Sequence, residues 1–225
     1  CTYGTGAFLL LNTGNDIIHS KNGLLTTLAY SYKGKNYYAL EGSCYIAGAA
    51  VQWLRDNLDF FSDSGEIENY AHKIENMDEM EHVMFLPFFT GMGSPYWNSQ
   101  AKASIVGLTR DTNKYHISRA CLDGIALSIN DLITAFENDG GFDINNIKVD
   151  GGAANNNLLM QIQSNFLQKT IYRPMNVETT SMGAAFGSAL GNEKINITEI
   201  RKFWSLDKEF IHESDLNYFE KKKKQ

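Results

Sequence analysis

Three glycine clusters carry the chemistry this sequence can do. Tyr3-Gly4-Thr5-Gly6 is a tight turn in which two glycines remove Cβ bulk, Thr5 offers a hydroxyl, and successive N–H groups can face phosphate oxygens. Gly48-Ala49-Ala50, with Gln52 one turn further on, opens a helix almost free of side-chain bulk. Val149-Asp150-Gly151-Gly152, followed by Asn155-Asn156-Asn157, is a strand end turning into an Asn-opened helix, where free N–H groups and amide side chains suit a phosphate or nucleotide. Each has a plain structural alternative. Alone, the first reads better as a hairpin and the second as close packing of a helix on a sheet; the third divides evenly between a ligand site and an N-cap. Three consecutive asparagines exceed what one cap needs.

Other chemistries fall away. No G-x-x-x-x-G-K-[ST] occurs, because Gly34-Lys35 is followed by Asn36 in a turn, and there is no G-x-S-x-G elbow. His19, His72, His82, His116 and His212 lack metal-ligand spacing. Residues 59–68 resemble a calcium loop only superficially: aligning Gly65 to the loop glycine puts Phe60 at the first ligand position, so a solvated loop is expected. Cys1, Cys44 and Cys121 form no C-x-x-C pair and read as reduced, mostly buried thiols. With 20 basic against 26 acidic residues and a net charge of -6, a nucleic-acid partner is not expected, and the lysines at 221–224 read as a solvated tail. No apolar stretch approaches a membrane span, which predicts a cytoplasmic protein without a membrane partner. The sequence opens on Cys1 inside a strand-like pattern, so an upstream segment is expected.

The elements that must position these clusters follow from periodicity. Residues 7–12 and 24–32, with a turn at 13–16 between them, and residues 37–40 after a second turn predict three antiparallel strands, with residues 1–3 bent back on 7–12. Helices are predicted over 47–58, 67–80 and 117–138, the last ended by Gly140-Gly141, with a buried strand or extended segment at 83–89. Strands at 147–149 and 171–173 alternate with helices at 156–168 and 182–190. The order βββαβαβα is the layout of the ribonuclease-H-like fold shared by actin, chaperone ATPases and sugar kinases. The predicted class is α/β, a mixed five-stranded sheet flanked by helices with an inserted subdomain, and residues 205–225 as a tail.

Five blocks in order, Tyr3-Gly4-Thr5-Gly6, Tyr38 to Ser43, Ala47 to Asp56, Phe89 to Trp97 and Val149-Asp150-Gly151-Gly152, resemble the glycerol kinases. Gly107-Leu108, His116-Ile117 and Ala120-Cys121-Leu122-Asp123 resemble the signature of the wider carbohydrate-kinase family. The resemblance implies ATP- and Mg2+-dependent phosphorylation of glycerol to sn-glycerol 3-phosphate, with ATP in a cleft between two domains. Residues 1–225 would then be the C-terminal nucleotide-binding domain. Thr5 matches the family's phosphate-contacting Thr, Gly48 and Gln52 match nucleotide contacts on the helix, and Gly152 and Asn156 match the adenosine-motif pair. Phe8 matches the aromatic that packs against the glycerol carbons. Asn98-Ser99 departs from a frequent Asp-Pro, and Asn155 stands where a small residue is usual. The resemblance places the catalytic base, most glycerol contacts and the magnesium-linked carboxylates in an N-terminal domain before Cys1. No catalytic residue or metal ligand is therefore assigned here, Asp123 and Asp131 read as packing or helix-surface carboxylates, and the isolated chain is expected to be inactive. Partners so implied are glycerol, ATP and the N-terminal domain, and a homo-oligomer is compatible. A kinase for another small polyol or sugar, or a non-catalytic nucleotide-binding module, stands as the alternative.

Overall fold

The computed structural model describes residues 1–225 except Phe142 and Asp215. β1 (Thr2–Tyr3) and β2 (Ala7–Gly14) form a narrow hairpin around Gly4-Thr5-Gly6, and β3 (Leu25–Tyr32) and β4 (Lys35–Cys44) follow. Alternation along β2 sends Ala7 and Leu9 inward and leaves Phe8 and Leu10 exposed on the opposite face. The predicted antiparallel strands are present, but β2 and β3 do not pair. β4 lies between them, with Ala7 opposite Cys44 and Leu28 opposite Tyr38. Burial decides this order: Leu40, Ser43 and Cys44 of β4 are buried and belong inside the sheet, whereas β3 is largely exposed and suits its edge.

α1 (Gly48–Asp56), α2 (Glu66–Ala71), β5 (Met84–Leu86) and β6 (Ser104–Val106) lead to the long helix α3 (Lys114–Gly140). Trp53 of α1 packs on Phe85 and Phe89, with ring centroids 6.2 and 4.9 Å away, which ties the β5–β6 hairpin to the body. The helix expected over 67–80 is two pieces. α2 stops at Ala71, and a single 3-10 turn at Met77–Met80 restarts at Asn76, whose side chain accepts from the Asp78 N–H. Ile67, Tyr70, Ala71, Ile74, Met77 and Met80 keep helical spacing and face the core through the break, which the Asn76 cap marks. α3 is set by its ends. The Asn113 side chain accepts from the Tyr115 N–H at 2.9 Å, the His116 ring accepts from the Asn113 N–H at 3.3 Å, and Gly141 closes the helix in the left-handed region.

The last third runs β7 (Asn146–Lys148), α4 (Asn157–Leu167), β8 (Thr170–Pro174), α5 (Thr179–Gly191), α6 (Ile197–Ile200), β9 (Leu206–Phe210) and α7 (Asn217–Lys223). β7 and β8 are parallel and β9 is antiparallel to β8. The Tyr3 N–H donates to the Asp150 carbonyl at 2.8 Å and the Asp150 N–H to the Cys1 carbonyl at 3.0 Å, so β1 stitches the two sheets together. Among the described residues the strand order becomes β3-β4-β2-β1-β7-β8-β9, wider than the five strands expected.

β9 and α7 replace the expected tail. Phe219 meets Phe166 of α4 edge-on at 4.9 Å, and Lys222, inside the run expected to be solvated, is 1% exposed. Its ammonium donates to the Val83 carbonyl at 2.5 Å, and burial pulls its pKa down to about 8. α3 and α4 cover one face of the sheet and enclose a core that includes Tyr3, Leu40, Ile129 and Phe166. On α5 no described residue is buried. No helix is long and apolar enough to cross a membrane among the described residues.

Candidate functional site

The β1–β2 turn, the start of α1 and the turn after β7 converge on one cavity of about 430 Å³. Its floor is Tyr3, whose hydroxyl donates to the Gln163 side chain at 2.9 Å and is held protonated by burial. Gly48 and Gln52 are one helical turn apart and so share a face of α1. Thr5, Gly48, Gln52, Gly152 and Asn156 all line the cavity, so the five residues singled out for a nucleotide come together.

The two glycines among them differ in kind. A Cβ on Gly48 would lie 2.6 Å from the Gly4 carbonyl oxygen, because the carbonyls of Gly4 and Thr5 accept from the N–H groups of Ala47, Gly48 and Ala49 and cap α1. Gly48 is thus required by the contact between turn and helix. A Cβ on Gly152 meets nothing within 4 Å and would project into open space at the cavity wall. The turn bearing Gly152 is held from behind by Arg173, whose guanidinium donates to the Ala154 carbonyl at 2.9 Å and pairs with Asp207 at 2.7 Å.

The helix N-terminus that the sequence left evenly between a ligand site and an N-cap is closed. The Asn156 side chain accepts from the Leu159 N–H at 2.8 Å, and the Glu68 carboxylate accepts from the N–H groups of Asn157 and Leu158, both at 3.3 Å. By contrast, the N–H groups of Thr5, Gly6, Gly152 and Ala153 make no hydrogen bond among the described residues. Donors for an anion therefore sit on the two glycine turns and not on α4.

Residues 59–68 are not simply a solvated loop. Phe61 and Ile67 are buried, and Ser64, Gly65, Ile67 and Glu68 line the cavity. Sequence reasoning missed them because the acidic run masked two apolar anchors six residues apart. Phe8 lies outside this cavity, 40% exposed, in a shallower one of about 230 Å³ that it shares with Asp150 and Thr179.

The three carboxylates that invite a catalytic assignment are otherwise engaged. Asp123 is buried, 3.0 Å from Arg119 and bonded by the Tyr218 hydroxyl, a packing carboxylate as expected. Asp131 accepts from the Tyr96 hydroxyl at 3.0 Å, and desolvation holds its pKa above the usual carboxylate range. Asp150 accepts from the Thr179 hydroxyl. Cys44 and Cys121 are buried free thiols whose pKa values are raised by desolvation. Among the described residues no group of three or more His, Cys, Asp or Glu could hold a metal ion.

Residues 1–190 match the FGGY family of carbohydrate kinases, C-terminal domain. The chain is 49% identical over 228 aligned residues to the glycerol kinase of Clostridium perfringens, covering 98% of this chain and 44% of that protein. It is 46% identical to the glycerol kinase of Agathobacter rectalis over 99% of this chain and 44% of that one. Among solved structures, Plasmodium falciparum glycerol kinase with ADP superposes with a TM-score of 0.86 at 36% identity, covering 100% of this chain and 44% of that chain. The chain thus spans less than half the length of the curated relatives it matches. The mixed α/β architecture is that of the actin-like ATPases in the form carbohydrate kinases share. By the match over residues 1–190, the chain belongs to the FGGY family of carbohydrate kinases, as its C-terminal domain.

Proposed function

We propose that this chain is the nucleotide-binding half of a glycerol kinase, which transfers the γ-phosphoryl group of ATP to a glycerol hydroxyl and yields sn-glycerol 3-phosphate and ADP. The observation that carries the reading is the single cavity joining Thr5, Gly48, Gln52, Gly152 and Asn156, bordered by bare N–H groups on two facing glycine turns. Phosphoryl transfer asks the protein mainly for positioning and charge stabilisation, which such donors supply. The relatives named glycerol kinase and the ADP-bound neighbour support the same reading.

Thr5, Gly6, Gly152 and Ala153 would hold the phosphates, and Gln52, Asn156 and the Ser64 to Glu68 wall the nucleoside. Magnesium, when bound, neutralises charge on the transferring phosphates. It typically keeps several waters and needs only one or two carboxylates besides the phosphates, so the nucleotide itself would bring it to this half. The proton of the attacking hydroxyl passes to a base in the remainder of the protein, since Asp123, Asp131 and Asp150 are tied up here. Phe8 lies on the face bare of buried helix, where that remainder would bring glycerol against it. The reading also places the enzyme in the cytoplasm.

The test is glycerol-dependent ATP consumption by the full-length protein and its Gly152→Val variant. The expected result is a large rise in the ATP KM with the glycerol KM nearly unchanged, since a Cβ added there meets nothing within 4 Å and points into the open cavity. Equal rises in both, or turnover with another polyol and none with glycerol, would overturn it.

A further inference from the structure

Glu68 belongs to the wall assigned to the nucleoside, yet its charge has no task in that role. A carboxylate there is unfavourable beside a polyanion, yet it lines the same cavity as Thr5 and Gly152. Its two oxygens accept from the N–H groups of Asn157 and Leu158, at the N-terminus of an eleven-residue helix. Those donors, at the positive end of the helix dipole, would attract phosphate if the carboxylate were removed. His72, 3.9 Å from Glu68, is itself mostly exposed.

One set of N–H groups, on the glycine turns, borders the cavity, and a second, at the start of α4, is taken by the Glu68 carboxylate, which itself lines the wall. From this asymmetry we infer that Glu68 is a positioning residue, which bars phosphate from the start of α4 and so fixes the direction in which the nucleotide lies. This rests on the nucleotide reading and deepens it. With Glu68 in place, the unpaired backbone donors of the glycine turns are left for the phosphates, and the uncharged nucleoside takes the α4 side. Without it, the cavity has two anion sites, and a nucleotide can bind reversed, its γ-phosphate away from the acceptor.

Reversed binding has a kinetic signature that loss of stability lacks. A non-productive complex lowers kcat and apparent KM by the same factor and leaves kcat/KM unchanged. The experiment compares the full-length enzyme with Glu68→Ala and Glu68→Gln, using MgATP as substrate and inorganic pyrophosphate and adenosine as inhibitors. For Glu68→Ala the expected outcome is a fall of about 5- to 10-fold in both kcat and KM for ATP, as for any mode that competes with productive binding. Pyrophosphate inhibition should strengthen about tenfold, the increment of one added anion site, while adenosine inhibition is unchanged. Glu68→Gln, which keeps one acceptor without the charge, should fall between. If Glu68 only braces the helix, KM rises or stays level, and both inhibitors weaken together with the melting temperature. That result overturns the inference. Failure of the nucleotide reading itself shows separately, as wild-type enzyme that adenosine does not inhibit and that Gly152→Val leaves unaffected.

Discussion

α4 and α5 follow β7 and β8 in the same strand-helix repeat, and both are apolar, yet the fold treats them oppositely. Eight of the eleven residues of α4 are buried, whereas none of the thirteen in α5 is. The difference lies in what each helix meets. α4 packs against α3, β8 and α7 on the filled face of the sheet. α5 stands over the face that shows Phe8 and Leu10, touching it through Thr179, which shares their cavity and bonds Asp150. Apolar composition fixes that a helix wants a partner, and the rest of the chain decides whether it has one. The filled face holds the nucleotide turns in place, and the bare face is where the proposed acceptor half would pack.

The contrast can be broken most severely in α4. Phe166→Ala should cost about 3–5 kcal/mol in chemical denaturation, because it empties a fully buried site under Phe219. Phe186→Ala on α5 should cost less than about 1 kcal/mol by the same measurement in the chain alone, and a loss as large as in α4 would mean that α5 is packed after all. Phe8→Ala, on the same bare face, should leave the melt unchanged and weaken glycerol binding in the full-length enzyme by about 1–3 kcal/mol.

The glycine pair sharpens the comparison within the cavity. Gly48→Ala drives a Cβ onto the Gly4 carbonyl and should lower stability by about 1–3 kcal/mol, whereas Gly152→Ala should leave the thermal melt in place and act on ATP affinity alone. The smallest effect is a pH slope. Lys222 titrates near 8 in the fold and near 10.5 when unfolded, so between those values the unfolded chain binds a proton that the folded one has lost. Stability from this residue should therefore rise as pH climbs from 8 to 10.5, and Lys222→Met should remove the rise. A variant that keeps the same slope would assign it to another group.

The glycine turns were legible as turns because a glycine at a strand end has few uses, whereas the five cavity residues came from the family resemblance, since the clusters taken singly read as well or better as packing and caps. The pairing of β2 with β4 was not, since strand order depends on which strand carries more buried surface across the whole sheet. Lys222 misled for a related reason. A lysine run reads as solvated until a helix turns one member inward, where a carbonyl such as that of Val83 waits 139 residues away in sequence. Glu68 was hidden because its partners are the backbone amides of another helix, and a backbone amide leaves no mark in a sequence.

β1 is two residues long, and its position in the middle of the sheet sets the order in which the chain can assemble. Thr2 meets Phe8 at once, through a three-residue turn, but its other neighbour is Asp150, which must wait for everything between them. Bridging so long a loop costs conformational entropy before any contact repays it, and topologies rich in such contacts fold slowly. Thr5 and Gly152 face the same cavity from the two ends of that loop, so the pocket cannot exist in any partly folded chain that lacks the last third. Affinity for a nucleotide then appears only with the final closure of the sheet, and a ligand that binds there stabilises the closed form against every earlier intermediate.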